Sequence, residues 1–172
     1  MPEFSENERS RLQEMILSLS RLDGRSLLSY WITSEIEVAK TYNDLAKRVM
    51  EYGWDPRIPR LFQELARESL EHAEILLEEY RRTYDNAPLI KPGIPSIRIE
   101  FSLEKLKNYL RNGRLVDLVA VLMESEELAS EVYRYLTENS NGSSTEMFRR
   151  LADNENDRYL RLKTLMDYLQ GG

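Results

Sequence analysis

Two stretches of this chain repeat each other, and the repeat limits what the chain can fold into. Residues 34–45 and residues 125–136 both begin with Ser-Glu, carry a tyrosine seven positions after the glutamate and a leucine three positions after the tyrosine. Residues 62–72 and residues 148–158 share Phe-x-x-Leu-Ala, followed by polar residues three and six positions after the alanine. Apolar residues recur around these motifs at steps of three and four, which is the period of a helix. The sequence therefore predicts two copies of one helix pair.

Composition and net charge exclude several classes of protein. The 172 residues are 41% hydrophobic and 31% charged, which is typical of one globular domain spanning residues 1–172. A formal net charge of −6 disfavours binding to nucleic acid and to membrane surfaces, because both carry negative charge. The absence of cysteine excludes disulfides, thiolate metal centres and cysteine nucleophiles.

Neither a signal peptide nor a membrane span is predicted. The first residues, Met1 to Glu6, lack the basic and then apolar pattern of a secretory signal. The most apolar stretch, Leu115 to Met123, is too short to span a membrane and contains Asp117. These features predict a cytoplasmic protein without membrane contact.

Capping and breaking residues place the helices along the chain. Ser5-x-x-Glu8 opens a leading helix, and Asp55-Pro56 opens the second long helix. The predicted helices are the leading helix at 5–23, long helices at 26–53, 56–84, 114–138 and 144–169, and a short helix at 102–111. Prolines break the pattern between residues 86 and 101, which predicts an extended crossover. Four long helices joined by a short, a long and a short connection predict an all-α fold, a ferritin-like four-helix bundle with one long crossover.

The leading helix lies outside the repeat and has an apolar stripe of its own. Leu12, Met15, Ile16 and Leu19 recur in it at helical spacing. A stripe of this kind needs a cover. Packing on the bundle and packing on a second copy of the chain both supply one, so a homodimer is one of two arrangements that the sequence allows.

Ionisable residues interrupt the apolar stripes of the four long helices. Glu35 and Glu126 do so in the first and third long helices, His72 in the second, and Glu155 together with Arg158 in the fourth. Burying a charge without a partner is costly, so residues in such positions mark candidate functional sites.

These motifs resemble the rubrerythrin and ferritin-like di-iron carboxylate family, in particular its members without a rubredoxin tail. The resemblance covers residues 28–169 and rests on the Glu…Tyr…Leu pattern of the first and third long helices and the Phe-x-x-Leu-Ala pattern of the other two. It implies a metal centre in the middle of the bundle, held by a glutamate from each of two helices and by Glu-x-x-His from each of the others. The six ligand positions are occupied here by Glu35, Ser69, His72, Glu126, Glu155 and Arg158.

Two of these positions depart from the family pattern, since Ser69 stands where the family has a glutamate and Arg158 where it has a histidine. Three carboxylates then face a guanidinium that always keeps its proton, and one divalent ion neutralises the remaining charge. We therefore expect one metal ion per chain, with Arg158 bridging two carboxylates at the second metal position. The predicted ligands are Glu35, His72 and Glu155, with Glu126 and Glu68 as further candidates. Such a ligand set suits iron, manganese or zinc.

The same residues also have a purely structural interpretation. Arg158 alone could compensate the buried carboxylates, giving a salt-bridge network that fixes helix register, with metal binding sub-stoichiometric or absent. Tyr42 and Tyr133 are core aromatics by position, although their hydroxyls could orient the carboxylates from outside the ligand shell.

Two functional hypotheses follow from these interpretations. The first is an oxidoreductase, peroxidase or ferroxidase-like, whose carboxylate-bound metal acts on peroxide or oxygen, as the resemblance implies. It requires an external electron donor, because the chain has no cysteine-rich electron-transfer module. The alternative is a non-catalytic ferritin-like scaffold or partner-binding protein, in which the Arg158 network replaces the metal.

Overall fold

The computed structural model describes residues 6–91, 93–94, 103–138 and 142–171. All regular structure in these residues is helical, so the predicted all-α helical bundle is confirmed. The six helices are α1 (Glu6–Ser20), α2 (Gly24–Glu51), α3 (Arg57–Tyr84), α4 (Leu103–Arg111), α5 (Leu115–Glu138) and α6 (Ser143–Gly171). None of the described helices is long and apolar enough to cross a membrane.

The chain divides into two compact units, one within residues 2–100 and one within residues 101–172. In the first unit α2 packs along α3, and we call this pair the first hairpin. In the second unit α5 packs along α6, and we call this pair the second hairpin. The prediction of a single domain over residues 1–172 stays a prediction.

The first hairpin begins where a side chain caps its first helix. The carboxylate of Asp23 accepts a hydrogen bond of 2.8 Å from the backbone N–H of Ser26, which satisfies one of the free donors at the start of α2. The helix therefore begins at Gly24, two residues before the predicted start. Its buried face includes Trp31 and Leu45, at 0% exposure each, and packs on a face of α3 that includes Phe62.

A cluster of hydrogen bonds joins the segment after α3 to the start of α2. The helix ends at Tyr84, and the next two residues adopt positive φ angles of 50° and 57° that reverse the chain. Arg25 donates from Nε to the hydroxyl of Tyr80 at 2.8 Å and from a terminal nitrogen to the carbonyl of Pro88 at 2.9 Å. The Tyr80 hydroxyl donates to the same carbonyl at 2.7 Å, and the N–H of Ile90 donates to the hydroxyl of Ser29 at 3.1 Å. The first part of the crossover is thus tied to the start of α2.

The second unit consists of the short helix α4 and the second hairpin. Gly113, at a positive φ of 66°, ends α4 and lets the chain turn directly into α5. On the facing sides of α5 and α6, the hydroxyl of Ser130 donates to the carbonyl of Ala152 at 3.1 Å, and both residues are buried. A serine and an alanine at this contact allow the two helix backbones to approach closely.

Several predicted features fall on residues outside the described part. These are the start of the leading helix at residue 5, residues 92 and 95–101 of the crossover, residue 102 at the start of the short helix, and residues 139–141 of the loop between α5 and α6. The side chains of Leu12, Met15 and Ile16 in the leading helix also lie outside it. Leu19, the last member of that stripe, is buried at 1% exposure. The homodimer through this helix stays a prediction.

Candidate metal centre

The first hairpin brings a carboxylate and an imidazole together in its interior. Glu35 on α2 is fully buried and His72 on α3 is 6% exposed. The Nδ1 atom of His72 lies 3.8 Å from Oε2 of Glu35, which is too long for a direct hydrogen bond. Two ligands that each lie about 2.1 Å from one metal ion can be up to about 4.2 Å apart. The separation is therefore compatible with two atoms that share one metal ion.

The helical period explains why these two residues point inward. Glu35 follows the buried Trp31 by four positions and precedes the buried Tyr42 by seven, so all three lie on one face of α2. On α3, Ser69 precedes His72 by three positions and is also fully buried. A serine at this position leaves the first hairpin with one buried carboxylate among these positions. Glu68, the predicted replacement, is half-buried.

The second hairpin has an arginine at the position that corresponds to His72. Arg158 on α6 is fully buried. One terminal nitrogen lies 3.4 Å from Oε1 of Glu126 on α5, and the other lies 3.3 Å and 3.4 Å from the two oxygens of Glu155 on α6. Both carboxylates are buried as well, at 1% and 0% exposure. The bridge between two carboxylates that we expected of Arg158 is present, and it joins the two helices of the second hairpin.

The two tyrosines of the repeat occupy equivalent environments. Tyr42 is 2% exposed and its ring lies 6.0 Å from that of Phe62. Tyr133 is fully buried and its ring lies 6.4 Å from that of Phe148. Each pair joins the two helices of its own hairpin, so the tyrosines have a packing role. The orientation of carboxylates by their hydroxyls stays a prediction.

Sequence reasoning gave no role to the serines that precede the two repeated glutamates. Ser34 is 2% exposed and Ser125 is 9% exposed, and each directly precedes a buried glutamate in the sequence. The signal was visible, because Ser-Glu recurs at the same point of both copies. The serine of this Ser-Glu pair does not by itself indicate a buried position, because serine is common on helix surfaces.

Glu35 and His72 in the first hairpin, and Glu155 in the second, are each buried, and each carries a ligand atom of a type that metal ions bind. Their donor chemistry fits the requirement, since carboxylate oxygens and an imidazole nitrogen are ligands for iron, manganese and zinc. The structure does not distinguish among these metals. Glu126, the other predicted carboxylate ligand, is engaged with Arg158.

Comparison with known proteins supports the fold. No protein-family model matches the chain, and no curated protein matches it. The chain is similar to the solved structure of a hypothetical protein from Pyrococcus furiosus, with a TM-score of 0.70 and 23% sequence identity over 91% of this chain and 96% of that one. At this level of identity the similarity shows a shared all-α helical bundle and nothing about function.

Proposed function

We propose that the chain is a rubrerythrin-like or ferritin-like protein that binds one divalent metal ion through Glu35, His72 and Glu155. The observation that carries the proposal is the buried Glu35–His72 pair, whose Nδ1 and Oε2 atoms lie 3.8 Å apart. A carboxylate and an imidazole that are buried on facing helices are ligand types that iron, manganese and zinc bind. A metal ion shared by the two side chains would place positive charge beside the buried carboxylate.

Charge counting supports a single ion. Glu35, Glu126 and Glu155 contribute three buried negative charges, and Arg158 contributes one positive charge that cannot be lost. One divalent ion neutralises the remaining two charges. A second divalent ion would leave the interior with excess positive charge, so we expect one ion per chain.

The residues of the chain have defined roles in this proposal. Glu35 and Glu155 supply oxygen ligands, and His72 supplies Nδ1, which requires that the imidazole keep its proton on Nε2. Arg158 holds Glu155 and Glu126 in place through its two terminal nitrogens. The buried Trp31 lies one turn before Glu35 on the same face of α2. Bound iron or manganese would supply redox chemistry toward peroxide or oxygen, whereas zinc would supply Lewis acidity.

We further propose an oxidoreductase of the peroxidase or ferroxidase type, supported by the resemblance of the repeat motifs to that family. Such an enzyme needs an external electron donor, because the chain contains no cysteine for an electron-transfer cluster of its own. A cytoplasmic location stays a prediction from the sequence.

A second function is favoured by one observation, the ion pairs of Arg158. These pairs already compensate Glu126 and Glu155 in the second hairpin without any metal. If a proton on His72 compensates Glu35 in the same way, the chain is a non-catalytic ferritin-like scaffold or partner-binding protein. The state of Glu35 therefore distinguishes the two functions.

Metal analysis of protein purified without an affinity tag or chelator tests the proposal. We expect about one equivalent of iron, manganese or zinc per chain, and tight binding of one of these ions by the apoprotein. His72→Ala should weaken binding by more than about 100-fold, because changes outside a ligand shell already cost 10- to 100-fold. Tyr80→Phe, which removes a buried hydroxyl two helical turns beyond His72 on α3, should leave the affinity unchanged. An apoprotein that binds none of the three ions would refute the metal proposal.

The near-isosteric substitution Glu35→Gln separates the two functions by stability. If Glu35 is a metal ligand, the apo form of the variant should be at least as stable as the parent, because a buried charge has been removed. It should also lose the stabilisation of about 2.7 kcal/mol that the parent gains at a metal concentration of about 100 times Kd. If Glu35 instead forms an ion pair with protonated His72, the same variant should be less stable than the parent.

The double variant Ser69→Glu, Arg158→His tests the assignment of the repeat positions. It restores the full ligand pattern of the family, so the bound metal should rise to about two ions per chain. If the double variant binds no more metal than the parent, the proposed alignment of the two helix pairs with the family ligands is wrong. The single variant Ser69→Glu serves as the control, because it adds a carboxylate while Arg158 still fills the second position.

A further inference from the structure

The turn between α2 and α3 carries large exposed side chains of a kind that soluble proteins usually bury. Met50 is 49% exposed and Tyr52 is 45% exposed. The ring of Tyr52 stacks on that of Trp54, with 5.7 Å between centroids. Gly53, at a positive φ of 68°, forms the tight bend that lets these two rings stack on the outside of the turn. Aromatic residues and methionine are enriched in the contact surfaces of proteins.

Basic residues flank this aromatic pair in the sequence. Lys47 and Arg48 lie near the end of α2, and Arg57 and Arg60 lie in the first turn of α3. Residues 47–60 contain these four cations against two carboxylates, Glu51 and Asp55, a local net charge of +2 in a chain whose net charge is −6. We call residues 47–60 the basic tip of the first hairpin. Its charge is opposite in sign to that of the chain as a whole.

Two of these cations stand where helix energetics disfavour them. The start of a helix carries partial positive charge, so an acidic residue there stabilises the helix by about 0.3–1 kcal/mol and a basic residue does the reverse. The first turn of α3 contains no acidic residue, although the carboxylate of Asp55, just before the helix, accepts a hydrogen bond of 3.0 Å from the backbone N–H of Arg57. Arg57 is tied to Asp55 at 2.6 Å, yet its side chain is 64% exposed.

We propose that the basic tip is a docking surface for an acidic segment of another protein. The stacked rings of Tyr52 and Trp54 would provide a rigid apolar contact, and Arg57 and Arg60 would provide charge-assisted hydrogen bonds to carboxylates. Because the rest of the chain is acidic, an acidic partner would be repelled elsewhere and directed to this end of the hairpin. The proposal is independent of the metal centre, which lies in the interior.

A synthetic acidic peptide is a suitable probe. The peptide is an amphipathic helix of leucine and glutamate, of about 20 residues so that it can form a helix in water. Its binding to the full chain is measured by fluorescence anisotropy at increasing salt, since screening weakens contacts between exposed charges. We expect saturable binding that weakens with salt and is lost when glutamine replaces the glutamates of the peptide. Binding of the two peptides with equal affinity would overturn the proposal.

Matched variants locate the binding surface. Trp54→Ala and the charge reversal Arg57→Glu should each weaken peptide binding by at least about tenfold, which corresponds to 1.4 kcal/mol. Tyr135→Ala and Arg134→Glu are the controls, because they alter an exposed aromatic and an exposed cation on α5. These controls should bind the peptide like the parent. Tip variants that bind as tightly as the controls would overturn the proposal.

The two tryptophans of the chain provide a second readout that needs no substitution. Trp31 is fully buried, whereas Trp54 lies at the basic tip. In a nitrogen–proton correlation spectrum, the indole signal of Trp54 should shift on addition of the acidic peptide while that of Trp31 stays in place. Single-stranded oligonucleotide and anionic vesicles are tested in parallel. Shifts of Trp54 with either of these and none with the peptide would assign the surface to a different class of ligand and refute an acidic protein partner.

Discussion

Replacement of Arg158 by methionine should cost the protein a large part of its stability. Methionine reaches only as far as the Nε atom of arginine, so the substitution removes the positive charge together with the end of the guanidinium group. The arginine is fully buried and lies 3.4 Å from Glu126 and 3.3 Å from Glu155. At these separations each pair contributes about 5 kcal/mol of attraction at an effective dielectric constant of 20. Much of this attraction only offsets the desolvation of the three groups.

The expected loss is therefore smaller than the sum of the two attractions. Removing one partner of a buried ion pair costs about 3–5 kcal/mol, because the other charge stays buried and uncompensated. The contacts of Arg158 are longer than the 2.7–2.9 Å of strong charge-assisted hydrogen bonds, which favours the lower end of that range. With a urea m-value of about 2 kcal/mol/M, the midpoint of unfolding should fall by about 1.5–2.5 M. Urea denaturation of the metal-free protein, followed by circular dichroism, measures this shift.

A control on the same helix separates burial from the mere loss of an arginine. Arg161 lies one turn beyond Arg158, is 30% exposed at its side chain and pairs with Asp157 at 3.2 Å. Because exposed pairs contribute about 0–1 kcal/mol, Arg161→Met should change stability by about that amount. Adding Glu126→Gln and Glu155→Gln to Arg158→Met should restore much of the lost stability, since no buried charge then remains. An Arg158→Met variant as stable as the Arg161→Met control would refute the role of the ion pairs.

Two further predictions concern the start of the first hairpin. Tyr80→Phe removes the hydroxyl that accepts a hydrogen bond from Arg25 and donates one to the carbonyl of Pro88. It should therefore lower the free energy of unfolding by about 1–2 kcal/mol and speed proteolysis of the segment after α3. Unchanged urea unfolding and proteolysis would contradict this prediction. The hydrogen bond from the backbone of Ser26 is the chief reason why the pKa of Asp23 is lowered from 3.8 in the folded protein. The stability that the ionised carboxylate contributes is therefore present above pH 3.8. It is lost as the pH falls through the lower pKa of the folded state. When the pH is lowered below 3.8, Asp23→Asn should therefore lose less stability than the parent, as measured by urea unfolding at each pH. Identical pH profiles of the two proteins would show that the Asp23 carboxylate does not contribute to stability in this way.

Helix positions were predictable because burial follows the helical period. Val38, Tyr42 and Leu45 recur at steps of three and four on α2, and all are buried. The start of the same helix was less predictable, because Asp23 and Ser26 are both good capping residues and only the folded backbone shows which one accepts the hydrogen bond. Sequence periodicity thus gives the extent of a helix better than its ends.

The spacing of apolar residues does not predict which residues distant in sequence contact each other. The bonds of Arg25 join it to residues 55 and 63 positions later, and nothing in the spacing of the apolar residues anticipates them. The interior positions of Glu35 and His72 could be predicted from their stripes, because a residue on the apolar face of a helix must point inward. Their separation of 3.8 Å could not, since it depends on how far the two helices are shifted along each other.

The two hairpins differ most at the equivalent positions of His72 and Arg158. An imidazole can lose its proton and then offers a lone pair to a metal, whereas a guanidinium keeps its charge and offers none. In the proposed metal centre, His72 and Glu35 of the first hairpin would therefore share a cation that can enter and leave. The second hairpin meets the charges of Glu126 and Glu155 with a cation that is part of the chain. With the proposed metal bound, the same helix pair, used twice, would combine one exchangeable positive charge with one permanent positive charge. This difference is the physical reason to expect one metal ion per chain, where a symmetric pair of sites would hold two.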